Sequence, residues 1–296
     1  MKPEPASEQD WTIHSINIQG VFFERWCQSL VTKSSWNLKS VNYPVEFPPP
    51  NGPIRGKEST LDIRAELRRG DTLLTMLVEC KKNNPEFINW IFFSKHPLCS
   101  LNSAVFNQID NTPRPAPNVG WNVQASLRGV SLKVPLADEA RETRGSYLEY
   151  KKGDKTKTSN SAISDAAYQI SLATQAIAEE ECRFSRSLGY GTGPIPWLKQ
   201  VLLPTVVTSA RIFTCDFDPS DVNPATGELP YDKAQISEQP YVLFEYSLPR
   251  HLQGAPADLL GALNSGGLEW FTRMHIMILH SGNFAGVLPQ LAELAS

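Results

Sequence analysis

Apolar and polar residues alternate strictly along one stretch near the start of the chain. Every second residue from 61 to 67 is apolar, which predicts a β-strand with one buried face within Ser59 to Arg68. The more apolar run from Thr72 to Lys81 predicts a second strand, nearer the middle of a sheet. Arg68-Arg69-Gly70-Asp71 joins the two runs and favours a tight turn, so the two strands are predicted to form a hairpin.

Helical and extended segments alternate along the remainder of the chain. Apolar residues at helical spacing predict one helix from about Glu8 to Thr32 and another from Asn160 to Phe184. Further strands are predicted at Val41 to Phe47, Leu202 to Phe217, Tyr241 to Tyr246 and Arg273 to Leu279, with a closing helix at Phe284 to Ala295.

The order of these elements predicts an α/β fold, with a mixed central β-sheet flanked by helices and additional strands toward the C-terminus. No internal repeat or low-complexity linker divides the 296 residues, so we expect a single domain over 1–296. The segment at about 83–158 is mixed and rich in turn-forming residues, and we interpret it as an insertion.

Charge and cysteine usage narrow the class of protein. The formal net charge is −3, so any contact with nucleic acid must come from a local basic surface. The five cysteines form no Cys-x-x-Cys pair, which favours reduced thiols over disulfides or a zinc site. No apolar run reaches the roughly 18 residues of a membrane span, and the polar start is not typical of a signal peptide. We therefore expect a cytoplasmic protein.

Acidic and basic side chains converge at one end of the predicted hairpin. Folding the chain about Gly70 brings Asp62 opposite about residue 77, which leaves Glu79 one diagonal step away and within reach of a shared metal ion. Glu79 and Lys81 are two residues apart, so they project from the same face of their strand. Two carboxylates and an ammonium group are thus predicted at one site.

This combination suits the hydrolysis of phosphodiester bonds. Carboxylate oxygens hold Mg²⁺ and leave positions open for water. A metal ion polarises the scissile phosphate and helps to generate hydroxide, while a neighbouring lysine can orient or deprotonate the attacking water. The metal and partial burial favour the neutral amine of Lys81, whereas the carboxylates favour the charged form, so its protonation state stays open.

The hairpin and the helix before it resemble the core of the restriction-endonuclease-like PD-(D/E)xK nuclease superfamily, over roughly residues 15–82. Asp62 matches the aspartate of the family, and Glu79-Cys80-Lys81 matches its ExK motif. Gly20-Val21-Phe22-Phe23-Glu24 is similar to the G-x-x-F-E segment of Mrr-like enzymes, whose glutamate approaches the metal site. The resemblance implies a restriction-endonuclease-like core, catalysis by Asp62, Glu79, Lys81 and Glu24, and Mg²⁺ or Mn²⁺ at Asp62, Glu79, Cys80 and Glu24.

The resemblance also implies a nuclease that acts on DNA in restriction, defence or repair. RNA is an alternative substrate, and a homodimer or a partner protein in a larger system is a candidate assembly. The alternative function is a catalytically silent subunit of the same fold that binds nucleic acid or scaffolds a complex. Titration with metal distinguishes an enzyme from such a subunit.

Two further features could serve a nucleic-acid substrate, and each has a plain structural alternative. Gln169, on the second long predicted helix, could contact substrate or active-site water, or could lie on a polar helix face. A basic loop could bind phosphates or could be an ordinary solvated loop; its lysines are Lys151, Lys152, Lys155 and Lys157.

Chance surface pairing is the alternative for the acidic and basic residues of the hairpin. The apolar run before Glu79 argues against it, because burying a glutamate and a lysine without a partner or metal is unfavourable. For Arg64 and Glu66, which share the face of Asp62, cross-strand ion pairing is the default. Asp216-Phe217-Asp218 has the spacing of a metal pair, but we interpret it as the exit of a strand.

Overall fold

The chain folds around one large mixed β-sheet, in a computed structural model that describes residues 7–47, 57–83, 88–94, 107–110, 134–143, 161–189, 199–253 and 273–293. In chain order the elements are helices α1 (Glu8–Gln19) and α2 (Val21–Thr32), strands β1 (Asn37–Phe47), β2 (Lys57–Arg69), β3 (Thr72–Lys81), β4 (Asn89–Ser94), β5 (Asn107–Asp110) and β6 (Leu136–Thr143), helix α3 (Ser161–Gly189), strands β7 (Lys199–Thr208), β8 (Arg211–Asp216), β9 (Gln235–Gln239), β10 (Tyr241–Ser247) and β11 (Arg273–His280), and helix α4 (Ser281–Ala292).

The sheet mixes parallel and antiparallel neighbours. Its strand order is β1-β2-β3-β7-β11-β10-β6-β4-β8-β9, and β5 pairs with the first half of β7. β3 runs parallel to β7, and β7 runs parallel to β11, whereas β1, β2 and β3 are antiparallel to one another. The predicted mixed sheet with flanking helices is therefore confirmed. Strands β4, β5 and β6 come from the segment interpreted as an insertion, so part of that segment builds the sheet.

Helices cover both faces of the sheet and divide the core in two. Ile170 of α3 and Leu77 of β3 belong to one buried cluster. Val31 of α2 and Phe284 of α4 belong to the other, together with Met76 of β3. β3 is buried along both faces because it lies in the interior of the sheet and helices pack on both sides of it. This arrangement explains its nearly continuous apolar sequence.

The predicted single helix over about Glu8 to Thr32 is wrong, because Gly20 divides it into α1 and α2. Gly20 has φ +83, a left-handed conformation that ends a helix and that glycine adopts without steric strain. α2 buries Cys27 and Val31 against the sheet, whereas no residue of α1 is buried.

The predicted long strand over Leu202 to Phe217 is also two strands. β7 ends at Thr208 and pairs with β3 and β11, while β8 begins at Arg211 and pairs with β4 and β9. The N–H of Ser209 donates to the carbonyl of Lys81 at 3.2 Å, so the chain leaves β7 level with the end of β3.

The other predicted elements are confirmed with ends shifted by a few residues: the strands at 41–47, 241–246 and 273–279, and the helices at 160–184 and 284–295. None of the helices in the described ranges is long and apolar enough to cross a membrane.

Candidate functional site

The site begins where β2 separates from β3. The ladder between the two strands ends at the pair Ile63 and Val78, so Asp62 is the first residue of β2 beyond it. Instead of continuing the ladder, the Asp62 carboxylate accepts a hydrogen bond from the Cys80 N–H, with Oδ2 and N 2.6 Å apart. A side-chain oxygen thus takes the place of a main-chain acceptor and lies against the last residues of β3.

The predicted register of the hairpin is wrong by two residues. Arg64, not Asp62, lies opposite Leu77, because the turn contains only Gly70 and Asp71 and pairs Arg69 with Thr72. Continued by one step, this register places Asp62 level with Glu79. The two carboxylates are therefore neighbours across the hairpin rather than diagonal to each other, which brings them closer than the sequence suggested.

Lys81 is held between a strand carboxylate and a helix amide. Its Nζ lies 2.8 Å from Glu79 Oε1 and donates to Gln169 Oε1 of α3 at 2.5 Å. The side chain of Glu79 is only 6% exposed and that of Lys81 24%. Strand parity therefore brings Glu79 and Lys81 together as predicted. Gln169, which the sequence left undecided, lies within this group.

Glu24 approaches from α2, the helix on the other side of the strand end. It lies in the first turn of α2, directly after the left-handed Gly20. A Cβ built on Gly20 would lie 3.9 Å from Glu24 Oε1 and 3.8 Å from Lys82 Cβ, so this corner of the chain is close to the end of β3. Burial is the main cause of the raised pKa of Asp62 and of Glu79, and the charge of Glu24 adds to both shifts.

Burial and mutual repulsion make the two carboxylates hard to ionise. Loss of solvent, followed by the charge of Glu79, raises the pKa of Asp62 from 3.8 to about 7, although the Cys80 N–H opposes this shift. Burial also raises the pKa of Glu79, against the stabilising charge of Lys81. A nearby cation strongly stabilises the ionised form of buried carboxylates that repel each other. Residues with a strongly shifted pKa are concentrated at functional sites.

The donor atoms of this site fit a hydrated Mg²⁺ ion better than a fully protein-ligated metal. In the described part of the chain, no group of three or more His, Cys, Asp or Glu side chains is placed to hold a metal. Asp62 and Glu79 nevertheless offer two carboxylates, and Mg²⁺ is commonly bound through one or two carboxylates with several waters retained. The two acids therefore suit Mg²⁺ or Mn²⁺.

The side chain of Cys80 belongs to the opposite face of β3. It is 8% exposed and lies in the core cluster that contains Cys27 of α2. A hydrogen bond with Cys27 and burial raise the pKa of the Cys80 thiol well above its usual value. Only the main-chain carbonyl of Cys80 is therefore suited to a hard metal ion such as Mg²⁺.

The predicted basic loop and the Asp216-Phe217-Asp218 segment remain. The loop lies outside the described residues, with its lysines Lys151, Lys152, Lys155 and Lys157. β8 ends at Asp216, and Asp218 Oδ1 accepts from the Ser220 N–H at 2.8 Å at the start of a short 3-10 helix, so the strand exit is confirmed. An open groove of about 740 Å³ is lined by both aspartates, but it contains none of the site residues.

Two features beside Asp62 have no clear signal in the sequence. Asn42 of β1 lies level with Asp62 and has φ +48, the only left-handed backbone among the described non-glycine residues. Arg64 contacts Glu66 at 3.0 Å and Glu181 of α3 at 2.5 Å, and it thereby ties α3 to β2. Ion pairing was the expected state of Arg64 and Glu66, but the helix partner could not be inferred from spacing.

Comparison of this chain with protein-family models, with curated proteins and with solved structures gives no match.

Proposed function

We propose that this protein is a metal-dependent nuclease that hydrolyses phosphodiester bonds, with DNA as its substrate. The observation that carries the proposal is the meeting of Asp62, Glu79 and Lys81 at the end of one hairpin. The raised pKa of both carboxylates supports it, because a bound divalent cation would offset the repulsion between them.

The proposal includes a restriction-endonuclease-like core. α2, β1, β2 and β3 follow one another in the order that the resemblance implies, and α3 comes after the three intervening strands β4, β5 and β6. β7 follows α3 and lies parallel beside β3 in the same sheet, so α3 crosses over a face of the core. Asp62 lies on the second strand of this series, and Glu79 and Lys81 end the third, which supports the proposed correspondence.

In this proposal Asp62 and Glu79 hold Mg²⁺ or Mn²⁺, and the Cys80 carbonyl is a further candidate ligand. The bound ion supplies charge that polarises the phosphate and lowers the pKa of water. Lys81 Nζ lies beside Glu79, at the place where it would interact with the phosphate oxygens on which negative charge develops. Gln169 orients the Nζ of Lys81 by accepting a hydrogen bond from it at Oε1.

Glu24 is proposed to act through its charge. It lies in the first turn of α2, at the N-terminal end of the helix, on the side of the strand end that carries Asp62 and Glu79. That charge increases the preference of Asp62 and Glu79 for a divalent cation. Glu24 is therefore proposed as a supporting group, with Asp62, Glu79 and Lys81 as the catalytic set.

The test is cleavage of supercoiled, linear and single-stranded DNA, and of RNA, by purified protein with Mg²⁺ or Mn²⁺ and with EDTA. We expect metal-dependent DNA cleavage that EDTA abolishes. Asp62→Asn, Glu79→Gln and Lys81→Met should each lower the rate by about 10²-fold or more. The control is Asp71→Asn, an exposed aspartate at the opposite end of the hairpin, which should leave the rate unchanged. Full metal-dependent cleavage by Glu79→Gln would overturn the assignment.

A catalytically silent subunit is the second candidate, and one observation favours it. Lys81 already neutralises Glu79 through a direct ion pair, which weakens the need for a metal ion. Calorimetric titration with Mn²⁺ separates the candidates. A nuclease should bind the ion in the wild type and lose binding in Asp62→Asn, whereas a silent subunit should give no binding heat in either protein. Cleavage of RNA alone would retain the chemistry and change the substrate.

A further inference from the structure

Strand β2 changes the face that it buries at the level of Asp62. Ile63 belongs to the core cluster beneath α2 and α4, whereas Leu61 belongs to the core cluster beneath α3. Residues two apart in a regular strand project from the same face, so β2 is rotated between these two positions. Asp62 is the residue at which the rotation occurs.

Strand β1 turns at the same level. Val41 pairs with Ile63, and Tyr43 pairs with Leu61, so each pair shares one face of the two-stranded ribbon. Tyr43 packs against the core cluster beneath α3, as its partner does. The residue between Val41 and Tyr43 is Asn42, which lies level with Asp62 and has φ +48.

The turn carries the ribbon from the sheet onto α3. On one side of this level, Ile63 still pairs with β3. On the other side, Tyr43 Oη donates to the Glu180 carboxylate of α3 at 2.9 Å, and Val45 is buried in the cluster beneath α3. Asp62 therefore lies where β2 leaves β3, between two parts of the ribbon that are each held by packing.

The backbone of Asn42 has no explanation in its own packing. A left-handed backbone is unfavourable for residues with a side chain, although asparagine tolerates it better than most. Asn42 is exposed, so burial of its side chain does not offset this cost. Backbone of this kind is concentrated at functional sites. The group of the candidate site at this level of the ribbon is Asp62.

We propose that Asn42 is a positioning residue for the metal site. Its left-handed backbone turns β1, and β2 turns with it because the two strands are paired on both sides of this level. Asp62 is thereby held against the end of β3, where its Oδ2 accepts the hydrogen bond from the Cys80 N–H at 2.6 Å. Binding of a metal ion by Asp62 rests on the proposed function, whereas the placement of Asp62 does not.

The first test measures hydrogen exchange of the Cys80 amide in the full chain, in EDTA and without DNA. Asn42→Gly keeps access to φ +48, whereas the branched side chain of Asn42→Val disfavours it. Glu46→Val, at an exposed position of the same strand, is the control.

The exchange rate of Cys80 is compared with that of Leu74, in the middle of β3, because a general loss of stability would speed both. We expect this ratio to rise about 10-fold or more in Asn42→Val and to stay at the wild-type value in Asn42→Gly and Glu46→Val.

The second test is calorimetric titration with Mn²⁺. The Kd for Mn²⁺ should rise about 10-fold or more in Asn42→Val and stay unchanged in Asn42→Gly and Glu46→Val, because groups that orient a ligand affect metal affinity on this scale. If Asn42→Val does not fold, Asn42→Ala replaces it and should change both measurements in the same direction.

Two results would overturn the positioning role. One is an exchange ratio in Asn42→Val that equals that of the wild type. The other is an Asn42→Gly variant that behaves like Asn42→Val, because the amide side chain rather than the backbone would then be responsible. A protein that binds no Mn²⁺ would refute the proposed function and leave the exchange result standing.

Discussion

The carboxyl group of Asp62 should make the metal-free protein less stable as the pH rises. Its pKa is raised from 3.8 to about 7 in the folded protein by burial and by Glu79. Between these two pH values the folded chain keeps a proton that the unfolded chain has lost. The free energy of unfolding therefore falls across this window and levels off above it.

The magnitude follows from the size of the shift. Each pKa unit corresponds to about 1.4 kcal/mol, so the rise to about 7 corresponds to roughly 4 kcal/mol. A domain is commonly stable by only about 5–15 kcal/mol, so an effect of this size is easily measured. Asp62→Asn keeps an oxygen that can accept from the Cys80 N–H but removes the titration. The variant should therefore lose about 4 kcal/mol less than the wild type as the pH rises.

The assay is urea unfolding in EDTA between about pH 4 and pH 8. The exposed Asp71→Asn is the control and should follow the wild type. Added Mn²⁺ at the upper end of the range should restore stability to the wild type, because metal binds the ionised carboxylates of the folded state. It should not restore Asp62→Asn. Parallel curves for the wild type and Asp62→Asn would refute the burial of Asp62 against Glu79.

Three further predictions concern side chains around the site. Gln169→Leu removes the acceptor of the hydrogen bond from Lys81, so it should lower the cleavage rate about 10-fold or more with little change in Tm. The control Gln175→Leu, on the same helix, should leave both the cleavage rate and the Tm unchanged. Asn42→Gly should match or slightly exceed the wild type in its free energy of unfolding in urea. Asn42→Val should lose about 1–2 kcal/mol, because φ +48 disfavours a branched side chain. Equal stability of Asn42→Val and the wild type would contradict the left-handed conformation. Arg64→Met removes the arginine partner of the mostly buried Glu181, whereas Glu66 keeps its ion pair with Lys39 at 3.3 Å. The substitution should cost about 3 kcal/mol, an effect that Glu181→Gln in the same chain should largely reverse.

Local patterns in the sequence predicted the hairpin well. The apolar run in β3 reported burial on both faces, and the alternation in β2 reported its buried positions. The single buried face predicted for β2 is wrong at its start, because Leu61 lies in one core cluster and Ile63 and Ala65 lie in the other. The register was missed by two residues, and the turn explains one of them. Its centre lies between Gly70 and Asp71 rather than at Gly70, which moves every opposite pair by one; the other residue came from placing Asp62 opposite about residue 77 instead of 78.

Features that depend on distant parts of the chain could not be predicted in the same way. Gln169 reaches Lys81 only because α3 crosses the sheet over β3, and helix spacing alone gave no partner for it. The break after Thr208 leaves no local mark, because β7 and β8 differ in their neighbours rather than in composition. Gly20 was a visible signal for the helix break, but the apolar stripe on both sides of it concealed that signal.

The hydrogen bond from Lys82 to the Asn17 carbonyl joins α1 to the chain one residue beyond Lys81. If the ordering of α1 tightens the hold of the proposed site on a metal ion by some factor, the metal must favour the ordering of α1 by the same factor. Hydrogen exchange of the α1 amides should then slow when Mn²⁺ is added. Lys82→Met should remove that response while the metal still binds.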